Sequence, residues 1–164
     1  MSGKDGWENW QNIGVQGLSD FAFRLSENNN NNILANAIAF LPEQVLLPLC
    51  SALENVLLSA NVIEQIVIRF KKAETNNELS ISIALLRALA SSTDHQFCHE
   101  LLTDLMKSNS LHEEILIIIA GRLWPILNNE NTLFIYLEHL IQGHDNELFS
   151  AVFKDLVAIP TIRP

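Results

Sequence analysis

Glycine and proline are scarce in this sequence, 6 and 5 in 164 residues. That scarcity excludes a loop-rich or disordered chain, because few positions interrupt regular structure. Cysteine occurs only at Cys50 and Cys98, too few for a disulfide framework. Each has leucine neighbours, so both read as small buried hydrophobes. Basic side chains number 10 against 19 acidic ones, a formal net charge of -9. So acidic a chain repels a phosphate backbone and an anionic lipid surface, which excludes nucleic acid and the membrane surface as expected partners. The strongest apolar run, ILIIIAG over 115–121, is far shorter than the roughly 20 residues that cross a bilayer. The opening MSGKDGWENW lacks the apolar stretch of a signal peptide. The expected setting is the cytoplasm, and the expected organisation is a single domain over 1–164.

What the chain has in quantity is hydrophobic side chains, 48% of its residues, set out at helical spacing. Over 7–26, Trp7, Trp10, Ile13, Leu18, Phe21 and Leu25 line one face, with Gly14 and Gly17 as points of close helix approach. ENNNNN over 27–32 reads as a mobile loop, since asparagine side chains compete for backbone hydrogen bonds, and Asn32 as the cap of a helix over 33–40. Pro42 opens a helix over 42–58 that Pro48 kinks or restarts. Helices follow over 61–72, where Arg69, Lys71 and Lys72 suit the C-terminal end, over 78–92, and over 94–108 with Asp94 as cap. Ser110 and Glu113 have capping-box spacing and open a helix that breaks at Trp124 and Pro125. The last two helices span 131–143 and 145–159. Nothing alternates with a period of two, so no strand is required.

Connections of a few residues fold consecutive helices back on each other. Hairpins begin near Ile33, Asn61, Asp94 and Glu130, roughly 30 to 36 residues apart, the size of a two-helix repeat. The expected fold is all-α, with antiparallel helix hairpins stacked as a short irregular HEAT-like α-solenoid. A globular helical bundle is the alternative.

His95 and His99, at i and i+4 beside Asp94 and Cys98, form the most metal-like cluster. No HExxH pattern or second cysteine pair accompanies them, so they read as a solvated polar face, and no metal or cofactor is expected. Cys98 stands near a helix start, where a thiol can be activated, yet the sequence places no orienting group or oxyanion donor with it, and the buried reading prevails. Arg87 and Arg122 interrupt ALLRALA and IAGRLW, where a guanidinium needs a carboxylate partner. Each either packs its stem on the core and pairs with an acid on the next helix or anchors an acidic ligand. Trp7, Trp10 and Trp124 join large apolar area to one donor, the make-up of an interface anchor. These five residues are the candidate interaction positions, and no catalytic residue is assigned. The expected function is a noncatalytic protein–protein interaction or scaffold module. The alternative is an enzyme or small-ligand binder with a site between helices, lined by Arg122, Trp124 or the His95 and His99 face.

WENWQNIGVQGLSDFAFRL at the start, LPLCSALENVLL, ALLRALASS, IAGRLW and the closing DLVAIPTIRP together resemble the C-terminal half of a proteobacterial family classed as a domain of unknown function. The likeness runs nearly the whole length. It implies a helical fold, a bacterial cytoplasmic setting and a longer parent protein, and it carries no catalytic residue. On that resemblance the partner is another protein or the N-terminal region of the same chain, with Trp7 and Trp10 on the side that would face it.

Overall fold

The helical spacing of apolar side chains is realised throughout residues 14–109, 111–143 and 146–162, which the computed structural model describes. Among them are nine α-helices: α1 (Gly14–Phe23), α2 (Asn30–Ala37), α3 (Glu43–Leu53), α4 (Ala60–Thr75), α5 (Leu79–Ala88), α6 (Gln96–Met106), α7 (Glu113–Arg122), α8 (Glu130–Gly143) and α9 (Asn146–Ala158). Short 3-10 turns lie at Ala90–Ser92 and Trp124–Asn128. No strand occurs among the described residues. The fold is all-α.

The contacts separate into two compact units, Met1–Ser92 and Thr93–Pro164. In the first, α3 packs on α1 and α5, and α4 packs on α2 and α5. Its core comes from the apolar stripes that meet there: Leu46, Leu49 and Leu53 of α3, Ile63, Ile66 and Phe70 of α4, and Leu85 and Leu86 of α5, all buried. In the second unit α8 packs on α6, on α9 and on the turn Trp124–Asn128, while α7 packs on α9 and the same turn. Leu101, Leu102, Leu116, Ile119, Tyr136 and Leu140 are buried in this unit.

Four local expectations change. Only part of the asparagine run is loop: Asn28 and Asn29 take positive φ of 45° and 65°, a conformation asparagine tolerates better than other non-glycine residues. Asn30 to Asn32 already belong to α2, whose cap position is Asn29 rather than Asn32. The side chains of Asn31 and Asn32 bond across to the start of α4. The Ser59 hydroxyl donates to Asn31 Oδ1 at 2.9 Å, and Asn61 Nδ2 donates to Asn32 Oδ1 at 2.8 Å. Tertiary hydrogen bonds have overridden local preference.

The helix at Pro48 neither restarts nor runs on to 58: α3 continues through Pro48 and ends at Leu53. Pro48 has no amide to bond the carbonyl of Gln44, and Gln44 is an exposed residue. Helix caps also shift. His95 caps α6 in place of Asp94, its Nδ1 accepting from the Phe97 amide at 3.4 Å. The cap position of α7 is His112, whereas the expected Ser110 lies outside the described residues, as does Asp145 before α9. Finally, Arg69 is buried instead of marking a solvated helix end, and its Nη1 lies 3.4 Å from Glu78 Oε2. That pair closes the turn between α4 and α5, in which Asn77 takes a φ of 56°.

Two polar side chains fix the rotation of α8. The buried Tyr136 hydroxyl donates to the Leu116 carbonyl of α7 at 2.9 Å, and His139 Nε2–H donates to the Met106 carbonyl of α6 at 3.0 Å. Tyr136→Phe removes one of these bonds while preserving shape. It is expected to lower stability by about 1 kcal/mol and the thermal midpoint by about 2 to 4 °C. Circular dichroism melting checks this, and an unchanged midpoint would deny the bond any role in holding α8.

Candidate functional site

With Tyr136, His139 and Leu140 turned into the core, helical geometry puts Phe134 and Ile141 on the opposite side of α8, seven residues apart on one face. Both are 64% exposed. A surface helix of a globular unit has one apolar stripe and a polar back, and α8 departs from this by being apolar on both. Ile135 beside them is also exposed. On α9, which packs on α8, Phe153 is 43% exposed and stacks on Phe149 with ring centroids 5.6 Å apart. Glu130 and Glu138 stand four residues to either side of Phe134, share its face and are exposed. Among described residues this is an apolar face bordered by carboxylates, carried on a helix whose rotation is fixed. The sequence reading did not single it out. The available signal was NTLFIYLEHLIQG itself, where hydrophobic positions fill the whole helical circumference and not a single stripe.

Of the interaction positions the sequence did single out, three lie among the described residues. Trp7 and Trp10 lie outside the described residues. Arg87, on α5, is an ion-pair residue: its Nε and Nη2 both donate to Glu54 Oε2, at 3.1 and 2.8 Å. Glu54 is buried at the end of α3, and its carbonyl accepts the Ser91 hydroxyl at 2.6 Å. The acid partner expected for this arginine is therefore present, 33 residues back in the chain. Arg122 is exposed in the last turn of α7, where positive charge complements the helix dipole. Trp124 is half-buried and opens the turn Trp124–Asn128. Arg87 belongs to the first unit, and Arg122 and Trp124 to the second.

Two depressions among the described residues can be compared with a site between helices. One, of about 290 Å³ between α3 and α5, is lined by Leu47, Ser51, Ser80, Ile83, Ala84 and Arg87. The other, of about 440 Å³, has Asp94, His99, Asn128 and Asn129 around Pro125 and Ile126, and opens broadly to solvent. In the second, Asn129 Oδ1 is engaged as the cap of α8, accepting from the amides of Asn131 and Thr132 at 3.0 and 3.2 Å. An enclosed catalytic site needs convergent polar groups shielded from water, and neither depression supplies that enclosure. His95 serves as a helix cap, and no group of three or more metal-ligating side chains comes together among the described residues. Burial pushes both thiols up from 9.0 to about 12, that of Cys50 against a small opposing pull from the Arg87 charge. A thiol so placed stays protonated and unreactive near neutrality. No helix among the described residues is long and apolar enough to cross a membrane.

The family described as Protein of unknown function (DUF3549) matches residues 1–164, and the chain belongs to that family. No curated protein and no solved structure matches it.

Proposed function

We propose that this member of the family is a noncatalytic helical module of the bacterial cytoplasm, which binds another protein through the outer face of α8. The observation that carries the reading is the pair Phe134 and Ile141, exposed on a helix already held by an apolar and hydrogen-bonded inner face. Exposed large hydrophobes grouped on one rigid element mark a contact surface, and anchors of this kind dominate binding energy. Helix hairpins suit that task, because they present helix faces as edges to a partner. In this reading Arg87, bonded to Glu54, serves the fold, and Trp124 and Arg122 are lesser interaction positions.

A photo-crosslinking residue placed at Phe134 in the full chain, expressed in bacterial cells, tests the reading. The expected result is a discrete covalent adduct with another protein, reduced at least about fivefold when Ile141→Ser is added, as truncation of a neighbouring anchor requires. The same crosslinker at the exposed Asp104 serves as the comparison. Equal yields at the two positions would mean that the α8 face has no particular partner.

A further inference from the structure

The charge around this face says what kind of partner fits it, an argument that rests on the reading just given. From Thr93 onward the sequence has ten acidic and four basic side chains, and α8 itself carries Glu130 and Glu138 with no lysine or arginine. On the exposed face the order along the helix is Glu130, Phe134, Glu138, Ile141, so carboxylates alternate with the apolar anchors. We infer that the occupant of the α8 face is a cationic amphipathic helix, with an apolar stripe bordered by lysine or arginine.

Three physical points lead there. A helix 14 residues long is matched by another helix laid along its face, whose i, i+4 and i+7 side chains meet Phe134 and Ile141. Bases flanking that stripe meet Glu130 and Glu138, which raises the encounter rate and fixes register. A second copy of the same face meets the opposite condition. It would bring four carboxylates toward one another, with no cation on α8 to separate them, and like charges in juxtaposition disfavour that pairing.

The test uses the full chain and three fluorescein-labelled helical peptides as long as α8: leucine–lysine, leucine–glutamine and leucine–glutamate, all with the same leucine positions. Fluorescence anisotropy is expected to show that the leucine–lysine peptide binds at least about tenfold more tightly than the leucine–glutamine one, and the leucine–glutamate peptide not at all. Phe134→Ser with Ile141→Ser should weaken leucine–lysine binding at least about tenfold, the loss expected for removing central anchors. Glu130→Gln with Glu138→Gln should erase most of the preference for lysine over glutamine, and so should raising salt from about 0.05 to 0.5 M. Because these side chains are exposed, both variants are expected to keep the wild-type melting midpoint, and the charge variant stands as a separate check should the apolar one melt early. Leucine–lysine binding that survives the loss of Phe134 and Ile141, or equal affinity for lysine and glutamine peptides, overturns the inference. A dimer in sedimentation velocity that disappears with Phe134→Ser and Ile141→Ser also overturns it, in favour of a second copy. If the crosslink at Phe134 forms in cells while none of the peptides binds, the cationic helix is wrong and the interaction module stands. If both fail, both readings fall.

Discussion

Stability is expected to fall steeply once the pH passes about 9, because each unit holds a buried thiol that cannot ionise without unfolding. Cys50 in α3 and Cys98 in α6 are inaccessible, and burial pushes both from 9.0 to about 12. Between those values the unfolded chain gives up its thiol protons and the folded chain keeps them, so the folded state binds more protons and loses stability as the pH rises. Below pH 9 both states hold the protons and the contribution is flat and fully present. Above it, each thiol costs its own unit on the order of 1 kcal/mol per pH unit, a few kcal/mol in all by pH 12. Burial also pushes the Tyr136 hydroxyl above its ordinary range, which steepens the fall further beyond pH 10. Urea unfolding across pH 7 to 11 measures the slope. Cys50→Ala with Cys98→Ala should flatten it between pH 9 and 10 while leaving the plateau below 9 without slope. A double variant that kept the wild-type slope would place the cause elsewhere. The same burial predicts no reaction of the folded protein with iodoacetamide near pH 8.

Arg87→Ala is expected to destabilise the first unit by about 2 to 3 kcal/mol. The reason is that a buried carboxylate loses two hydrogen bonds from a cation. Glu54 is buried, and the two bonds from Arg87 compensate its charge. Deleting one partner of a buried pair costs about 3 to 5 kcal/mol, and the guanidinium here is 37% exposed, which lowers the figure. Replacing both members with apolar residues, Arg87→Met with Glu54→Leu, should recover most of the loss, since the pair's own net worth is small. A double-mutant cycle in urea separates the two outcomes. An Arg87→Ala protein with an unchanged midpoint would deny the pair any role in stability.

The helices themselves were legible because their apolar periodicity is local, and the burial of Cys50 and Cys98 followed from the same pattern. Helix ends were less legible. A cap belongs to whichever residue stands where the backbone turns in, and Asp94 and His95 differ in that by one position. Asn31 and Asn32 joined α2 because Ser59 and Asn61 bond to them from nearly 30 residues away. Arg87 shows the opposite lesson. Its need for a carboxylate follows from side-chain chemistry alone, while the identity of that carboxylate depends on which helices meet, and α5 meets α3. The α8 face was written in the sequence but looks like core there, since hydrophobicity does not say which side of a helix will be left without a neighbour.

The asparagine seam between α2 and α4 has a consequence for the order in which the unit opens. Of the eight residues of α2 only Leu34 and Ala35 are buried, with Ile38 just past its end. Much of what ties α2 down is amide and hydroxyl groups, which water can replace at a net loss of about 1 kcal/mol apiece. Where α3 packs on α5, buried leucines of both helices stand beside the Arg87–Glu54 pair, and water cannot replace apolar packing. Partial opening therefore begins at α2, at a cost well below that of global unfolding, so that α2 forms a separate low-stability step while the α3–α5 core stays closed.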